Sequence, residues 1–532
     1  MLFSKPVKFI KNPVNYFKNI INEGKQFFNI DKPTQQFINH NQKVWANWKI
    51  KKSKSIILVD LYGVGETLLS YSYFLNVLAK KYQAAIKSFG RPRIIPNRTL
   101  HKIFESFNTS GHIIPSLNNK QSRRQETISK KIIPKLKIKR QIFDLKVLGV
   151  WIGIDVYETY LRKYNQPTIF LDDPKLIKLI KEGIGLVIFW QDFFSKNQVV
   201  AVVVSHDCYL HLDIVNKVAY NAKVPVYLPN IRGISYADRP FSVHSYFKNY
   251  KNMFRKISPQ EQKKGIAWAK KQLKRRLSGE VGVDMPYSTK SAFQKINNKK
   301  RVLRKSKNIK VLICSHCFFD NPHGYGGMLF VDFYEWLRFL GKISRKTNYD
   351  WYLKVHPDPL PGTLETIMEI LKDFPRITII PHETSHHQLA KEGINFVLTA
   401  YGTIGHESPA LKVQVINAAY NPRAAYDFNW HPKTKKEYEN LLLNLDKLHK
   451  KINLKELYEF YYMHHNYLLV DDFILDSYRQ SLSDLTTKER IGSKIYVYFM
   501  SQFSQAKHQR IINKMKKFID SGKHHYFSQG PE

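Results

Sequence analysis

Cysteine is scarce in this sequence. Cys208, Cys314 and Cys317 are the only three among 532 residues. A small, odd number excludes a scaffold of several disulfides and is typical of proteins from a reducing compartment. Cys314 and Cys317 form a Cys-x-x-Cys pair, and the sequence has no second such pair. Structural zinc sites usually need four spaced ligands. The sequence therefore predicts no metal site.

Long apolar runs are also missing. The longest, at residues 185–190 and 199–204, are far shorter than the ~20 residues that a membrane-spanning helix needs. Residues 1–28 lack the apolar core of a signal peptide. We therefore expect a cytoplasmic protein, and we expect any membrane contact to be peripheral, on the inner face of the plasma membrane.

Acidic residues are few relative to basic ones. The 43 Asp and Glu residues against 85 Lys and Arg residues give a formal net charge of +42. Such a charge favours polyanionic partners, such as an anionic membrane surface, an acidic or phosphorylated saccharide, or nucleic acid. Because no nucleic-acid-binding module with aromatic residues between its basic patches is recognisable, we predict no specific nucleic-acid partner.

The chain is too long for one hydrophobic core, and its 43% hydrophobic content excludes wholesale disorder. Shifts in composition predict five segments. They are a basic amphipathic arm (1–50), an α/β domain (51–255), a linker (256–305), a second α/β domain (306–450) and C-terminal helices (451–532). The arm either lies on anionic lipid or packs across the first domain.

Between residues 350 and 419, short apolar strands alternate with helices of about ten residues. This alternation predicts a parallel sheet built from right-handed crossovers. In such a sheet, ligands bind at the carboxyl ends of the strands. The candidate binding residues at these ends are Lys354, His356, Pro357, Gly402, Thr403, Gly405, Glu407 and Ser408.

The residue types at these ends suit a ligand that carries phosphate. Lys354 supplies a point charge, and His356 can donate a hydrogen bond from a turn that Pro357 stiffens. The glycines at 402 and 405 precede a helix whose N-terminus would attract an anion, and Glu407 could accept from ribose hydroxyls. The alternative is an ordinary strand, loop and helix with a capping threonine and a first-turn Glu.

The first domain opens with a strand at residues 55–60 and a turn that contains Gly63 and Gly65. The turn is not the dinucleotide fingerprint, because Leu68 stands at the third glycine position, and it lacks the lysine of a P-loop. Glu66, which follows, is a candidate general base. A first-turn Glu that favours the helix dipole is the ordinary alternative.

His206 and Asp207 end a later strand of the first domain, beside a predicted helix. A His-Asp pair there could serve acid–base chemistry, although adjacent side chains rarely point the same way, so we expect at most one to be catalytic. Asp207 as a helix cap is the alternative.

A third candidate segment is the loop at residues 316–327, which opens the second domain and is rich in glycine. We expect His316 and His323 to touch the phosphates of the ligand, and Asp320 to orient a histidine, because this composition exceeds what a solvated turn needs.

The Lys-x-His-Pro strand end and the later Gly-Thr-Ile-Gly-x-Glu-x-Pro-Ala-Leu loop resemble the donor-nucleotide half of GT-B glycosyltransferases. Bacterial capsular-polysaccharide transferases, including the Kdo- and sialic-acid-transferring groups, share the pattern, and teichoic-acid glycerophosphotransferases share it more distantly. The resemblance covers residues 305–445 and, more loosely, 55–255. It implies two Rossmann-like domains that face a cleft, the first for the acceptor and the second for the donor, with C-terminal helices that cross back to the first domain.

The resemblance implies transfer of a sugar from a nucleotide-sugar to a polysaccharide or lipid-linked glycan acceptor. We expect metal-independent transfer without a cofactor, because the Asp-x-Asp triplet that metal-dependent transferases use is absent from the sequence. Glu66 is the favoured base and Asp207 the second choice. Two alternatives stay open: a polyol-phosphate transferase of the CDP-glycerol type, and a non-enzymatic basic protein that binds nucleic acid.

Overall fold

The computed structural model describes residues 30–50, 52–91, 97–284, 290–293, 300–356, 359–469 and 471–526. Most of the predicted N-terminal arm, residues 1–29, lies outside the described residues, and so does Pro357. Within the described ranges, no helix is both long and apolar enough to cross a bilayer.

The strands of the first α/β domain lie where the apolar runs predict them. They are β1 (Ser55–Asp60), β2 (Ala85–Phe89), β3 (Thr109–Ile113), β4 (Lys146–Val147), β5 (Val150–Trp151), β6 (Gln198–Val203), β7 (Val226–Asn230) and β8 (Gly233–Ala237). The sheet has the order β3-β2-β1-β6-β7-β8, and β4 and β5 form a separate antiparallel pair. All its pairings are parallel except β7 with β8.

Helices cover both faces of this sheet, which explains the continuous apolar run of β1. The helices are α1 (Lys32–Val44), α2 (Gly65–Tyr82), α3 (Arg98–Ser106), α4 (Asn119–Ile132), α5 (Lys139–Phe143), α6 (Gly153–Tyr164), α7 (Pro174–Lys196) and α8 (Leu210–Asn221). Two further helices lead towards the second domain: α9 (Tyr250–Arg255) and α10 (Pro259–Leu277).

The second domain contains a parallel sheet of order β11-β10-β9-β12-β13. Its strands are β9 (Lys310–Cys314), β10 (Asp350–Lys354), β11 (Ile377–Ile380), β12 (Phe396–Thr399) and β13 (Gln414–Asn417). Its helices are α11 (Phe333–Lys346), α12 (Thr363–Lys372), α13 (His386–Lys391), α14 (Ile404–Ala410) and α15 (Lys435–Leu443).

The two sheets share one topology. Counted from its own first strand and without the β4–β5 pair, the second sheet runs in the order 3-2-1-4-5 and the first in the order 3-2-1-4-5-6, whose sixth strand is antiparallel. In both, the chain reverses direction across the sheet beside the first strand. This is the Rossmann-like order, and its ligand crevice lies at the carboxyl ends of the strands beside that reversal. The predicted fold class, α/β with two Rossmann-like domains, is therefore confirmed.

The chain closes with helices α16 (Leu454–Tyr462), α17 (Tyr478–Asp484), α18 (Thr487–Ile491), α19 (Lys494–Ser501) and α20 (Gln505–Ser521). A π-helical turn, Met463–Tyr467, follows α16. Ile495, Phe499 and Met515 from α19 and α20 share a buried cluster with Phe37 and Tyr73 of the first domain. The C-terminal helices thus cross back to the first domain, as the resemblance implies.

Two predicted elements differ from the structure. The apolar composition of residues 184–189 predicts a strand or a buried segment; the segment is buried, but it lies within the long helix α7. A short apolar run does not distinguish a buried strand from a buried helix, which explains the error. The helix predicted over about 483–519 is divided into four, with one break at Gly492.

Candidate functional site

The carboxyl ends of the two sheets face each other, which is the GT-B arrangement. Tyr209, which follows β6, donates a 2.7 Å hydrogen bond to Asp320 in the loop after β9. Beside this bond, Nδ1 of His323 from the same loop lies 3.0 Å from Oε1 of Glu158 in α6. The strands β6 and β9 both flank the reversal point of their sheet, so the two ligand crevices open onto one shared cleft.

A small cavity of about 10 Å³ lies at this meeting point. One lysine and four carboxylates line it, together with loop residues of the second domain; these are Lys217, Asp155, Glu158, Asp207 and Asp213. Nζ of Lys217 lies 2.5 Å from Asp155 and 3.0 Å from Asp213. The volume suits about one water molecule, so this conformation does not admit a sugar nucleotide here.

Burial perturbs the protonation of these carboxylates. Burial and the nearby charge of Asp213 raise the pKa of Asp207 to about 7. Burial raises the pKa of Glu158 to about 8, against the opposing effect of Lys217. Burial alone would lower the pKa of Lys217. The carboxylates of Asp155 and Asp213 have the larger effect, so the pKa of Lys217 is raised. At neutral pH, Asp207 therefore has the protonation balance that suits a general base.

Glu66 lies in a different environment from the one predicted. Its Oε1 is 3.2 Å from Nε of Arg490 in α18, and both side chains are largely buried. A Cβ on Gly65 would meet the carbonyl oxygen of Gly492 at 2.4 Å, so the C-terminal segment lies directly against this turn. Gly63 faces the side chain of Leu100 instead. The C-terminal helices therefore pack against Gly65 and Glu66, whereas Gly63 at the start of the turn is exposed.

Of the neighbouring pair, His206 is exposed, with Nδ1 2.9 Å from Oγ of Ser205, whereas Asp207 lines the cavity. The two side chains thus have separate surroundings. Asp320 bonds to Tyr209 and lies 3.7 Å from Arg162. The predicted role of Asp320 in orienting a histidine has no counterpart among these described contacts.

The polar residues at the ends of β10 and β9 differ in how far they are buried. Lys354 is buried, its ammonium donates a 2.8 Å hydrogen bond to the carbonyl of His382, and burial lowers its pKa. His356 is exposed. His323 is buried, and burial lowers its pKa to about 4, so it is neutral and bonds to Glu158.

His316 organises the turn after β12. Its Nε2 accepts a 3.1 Å hydrogen bond from the backbone N–H of Ala400 and lies 2.9 Å from Oγ1 of Thr399. Thr399 in turn accepts from the backbone N–H of Gly402 at 3.1 Å. Burial lowers the pKa of His316 to about 3, so the ring is neutral. Its described contacts shape the glycine-containing loop from within.

The loop and helix α14 are more enclosed than the sequence suggests. The buried Glu407 accepts from Nε and Nη2 of Arg276 at 3.0 and 2.8 Å, so its carboxylate already has a partner. The carbonyl of Thr403 accepts from the N–H of His406 at 2.9 Å. Ser408 is buried, and its carbonyl accepts from Leu411 and Val413.

Arg423 adds a cation to this loop. It is 3% exposed, and its Nη2 donates a 2.7 Å hydrogen bond to the carbonyl of Tyr401. A Cβ on Gly405 would lie 2.7 Å from Nε of Arg423, so only glycine leaves room for the guanidinium. Within the described residues, no carboxylate lies within ion-pair distance of Arg423, although the charge of Glu407 acts on it at longer range, and its Nε has no hydrogen-bond partner. Burial lowers its pKa to about 10, so it stays charged at neutral pH.

No family model matches the chain, and no curated protein matches it. Solved structures with a similar fold include a β-Kdo 2,4-transferase (KpsC) of Thermosulfurimonas dismutans, at 14% identity and a TM-score of 0.30, over 49% of this chain and 79% of that one. The UDP-GlcNAc 2-epimerase of Neisseria meningitidis is 10% identical over 84% and 100%, with a TM-score of 0.21. The wall teichoic acid polymerase TagF is 10% identical over 95% and 99%, with a TM-score of 0.20.

These neighbours include both classes that the sequence motifs resemble, capsule-type Kdo transferases and a teichoic acid polymerase. At such identities and TM-scores, the likeness carries no argument about substrate or reaction, and the fold rests on the strand orders themselves.

The basic residues that enclose the site could not be predicted from the sequence. Arg276 and Arg423 are remote in sequence from the residues they contact, Glu407 and Tyr401, and Lys217 lies in a helix interior. No local pattern distinguishes them from the many other basic residues. The one signal in the sequence was the pair of glycines at 402 and 405, since a glycine can allow the close approach of another group.

Proposed function

We propose that the chain is a GT-B-type glycosyltransferase that moves a sugar from a nucleotide-activated donor to a cell-surface polysaccharide or lipid-linked glycan. The second domain binds the donor, and the first domain binds the acceptor. The observation that carries the proposal is Arg423, a buried cation without a carboxylate partner among the described residues, beside the loop after β12.

A buried guanidinium without a carboxylate in direct contact is costly to the folded protein. An anionic ligand would offset that cost, and a diphosphate or monophosphate fits the planar donor fork of arginine. Arg423 lies against Gly405, and the carboxyl end of β10 brings Lys354 and His356 to the same edge of the sheet. These groups would stabilise the charge that develops on the departing nucleotide phosphate.

Asp207 is the best candidate for the base that deprotonates the acceptor hydroxyl. It follows β6 of the first domain, lines the cavity between the domains and has a pKa of about 7. Glu158, with a pKa of about 8, keeps its proton at neutral pH and would act as a hydrogen-bond donor beside it. Glu66 becomes the weaker candidate, because Arg490 holds its carboxylate under the C-terminal helices.

The structure represents the closed form in this proposal. The cavity between the domains holds about one water molecule, so donor and acceptor require the domains to separate. Tyr209 with Asp320, and Glu158 with His323, are the contacts that such a movement would break. Domain movements of this kind are common where the contact between two domains is polar.

The cations of the second domain neutralise the donor phosphates, so the proposed transfer uses neither a metal nor a cofactor. The net charge of +42 favours an anionic acceptor and an anionic membrane surface, where lipid-linked glycans occur. A ligand that binds only the folded chain stabilises it, so the donor nucleotide should raise the melting temperature more than other ligands do.

The test is nucleotide binding by the Arg423→Gln variant. Calorimetric titration with CMP, CDP, UDP and GDP identifies the nucleotide that binds the wild-type chain. Removing one side of a buried, charge-assisted contact costs about 2–5 kcal/mol, so we expect Kd to rise at least ~30-fold in Arg423→Gln. Because the substitution removes a buried charge, the melting temperature of the free protein should stay the same or rise.

The matched control is Arg376→Gln, which removes an exposed arginine of the same domain and should leave Kd unchanged. Unaltered nucleotide affinity in Arg423→Gln would refute the assignment of the phosphate site. If no nucleotide binds the wild-type chain at millimolar concentration, the donor domain itself is wrongly assigned.

A further inference from the structure

A second polar cluster lies behind the glycine-containing loop and outside the proposed transfer site. It consists of Asp284 from the segment after α10, His406 from α14 and His465 from the turn after α16. One carboxylate oxygen and one nitrogen from each ring lie within 4.8 Å of one another. The side chains of Asp284 and His406 are 0% and 1% exposed. Three segments that are distant in sequence thus converge on one buried point.

The spacing fits a shared cation better than a direct hydrogen bond. Nε2 of His406 lies 3.5 Å from Oδ2 of Asp284, beyond the usual 2.7–3.2 Å of an N–H···O bond. Two ligands of a tetrahedral zinc ion with bonds of about 2.0–2.1 Å lie roughly 3.3 Å apart.

Both rings also have a nitrogen that is buried without a hydrogen-bond partner. Within the described residues, these are Nδ1 of His406 and Nε2 of His465. Buried polar atoms of native proteins are normally satisfied, so an unsatisfied nitrogen indicates a missing ligand or ion. The unsatisfied nitrogen of His406 is not the Nε2 that faces Asp284, so this argument rests on Nε2 of His465.

Arg276 connects the cluster to helix α14. Its Nη1 lies 3.4 Å from Oδ1 of Asp284, and its Nη2 and Nε lie closer to Glu407, at 2.8 and 3.0 Å, so the two carboxylates share one guanidinium.

We propose that Asp284, His406 and His465 bind one divalent transition-metal ion, for which zinc is the best fit. Two imidazoles and one carboxylate are ligands that zinc accepts, and a water molecule would complete the tetrahedron. The hydroxyl of Tyr461 donates a 3.2 Å hydrogen bond to Asp284 and would orient the carboxylate. This site is independent of Cys314 and Cys317, which are free thiols.

The ion would fasten the linker and the C-terminal segment to helix α14. His406 is followed directly by Glu407, so the ion would also fix the helix that carries the predicted donor loop. The role is structural. It does not depend on the identity of the substrate, and it leaves the proposed transfer itself free of metal.

The test uses the full chain, stripped with a chelator, reloaded with zinc and desalted. We expect one zinc ion per chain by elemental analysis. Titration against a zinc-binding dye should show affinity at least ~10²-fold weaker in His406→Gln, His465→Gln and Asp284→Asn, since the loss of outer contacts alone typically costs 10–100-fold.

The matched control is His464→Gln. His464 is the adjacent histidine, its Nδ1 lies 2.8 Å from the hydroxyl of Tyr250, and it does not belong to the cluster. This variant should bind zinc as the wild type does. Because the chain has 20 histidines and three cysteines, the difference between these variants locates the ion, whereas the wild-type stoichiometry alone does not.

X-ray absorption by the zinc-loaded wild type gives a readout that does not depend on the folding of any variant. A first shell of nitrogen and oxygen with imidazole scattering supports the proposal. Sulfur in the first shell, absence of stoichiometric zinc, or equal affinity in folded His406→Gln and wild type overturns it. Since metal content is read without substrate, failure here is distinguishable from failure of the proposed transferase activity.

Discussion

The Asp207→Asn variant distinguishes the effect of the Asp207 carboxylate on transfer from its effect on the stability of the fold. The carboxylate lines the cavity between the domains, where burial and the charge of Asp213 raise its pKa from 3.8 to about 7. As a base it would promote transfer, and as a buried charge it destabilises the fold. Asparagine keeps the shape of the side chain and removes both the charge and the basicity.

The stability effect has a defined direction. Well below pH 3.8, Asp207 is protonated in the folded and unfolded chains and makes no difference between them, and at pH 4 the difference is still small. As the pH rises from about 4 to 7, the unfolded chain ionises while the folded chain keeps its proton, so stability falls and then becomes constant. A pKa rise from 3.8 to about 7 corresponds to about 4 kcal/mol at pH 8, as an upper bound.

The assay compares melting temperatures of the wild type and Asp207→Asn at pH 4 and pH 8, together with turnover. We expect similar melting temperatures at pH 4 and a variant that melts several degrees higher at pH 8. Turnover should fall by roughly 10²–10⁴, the usual contribution of a general base, with donor affinity unchanged. Asp172→Asn, at an exposed aspartate of the same domain, is the control for both measurements.

The reasoning about Asp207 is refuted if the variant retains full turnover. It is also refuted if the two melting curves keep the same separation at pH 4 and pH 8, because the carboxylate would then have an ordinary pKa. A loss of turnover without any gain in stability at pH 8 would retain the catalytic role and reject the raised pKa.

Three further predictions concern Glu66, the ion pair of Arg276 with Glu407, and the basic segments at the two ends of the chain. Glu66→Gln should keep turnover within about threefold of the wild type, because its carboxylate is paired under the C-terminal helices; a 10²-fold loss would restore it as the base. Arg276→Ala should lower the unfolding free energy by about 3–5 kcal/mol, because it leaves Glu407 buried without its partner. Arg275→Ala, in an exposed ion pair, should leave the denaturant midpoint almost unchanged, and equal midpoints for the two variants would contradict this. Residues 1–30 and the basic C-terminal helices should bind anionic vesicles at low salt and release them at high salt in flotation assays, and absence from the lipid fraction at both would assign them to packing.

Much of the fold could be predicted because strand identity is a local property. The run at residues 55–60 was predicted with the bounds that β1 has in the structure, and the alternation between residues 350 and 419 predicted a parallel sheet, since buried parallel strands are short, apolar and bounded by turn residues. The 184–189 segment failed under the same rule, because it has the composition of a buried strand inside a 23-residue helix.

The site was harder to predict because its charges are paired across long distances in sequence. Glu407 looked available for a ribose, but Arg276, 131 positions earlier, holds it. Glu66 looked open to the cleft, but Arg490 from the far end of the chain covers it. A sequence pattern indicates which strand end a residue follows, and it does not indicate which remote cation reaches that end.

Buried charges that destabilise the fold distinguish a functional cleft from a contact between domains that is only polar. Arg423 is buried without a carboxylate partner among the described residues, and Asp207 and Glu158 have pKa values raised by burial. A contact selected for stability alone would replace these groups with neutral ones, since a buried charge pair rarely exceeds the contribution of a well-packed apolar pair. They lie instead at the facing edges of both sheets, where a phosphate would offset the cation and an acceptor hydroxyl would use the carboxylate. Costly charges at both crevices therefore argue for substrate chemistry there.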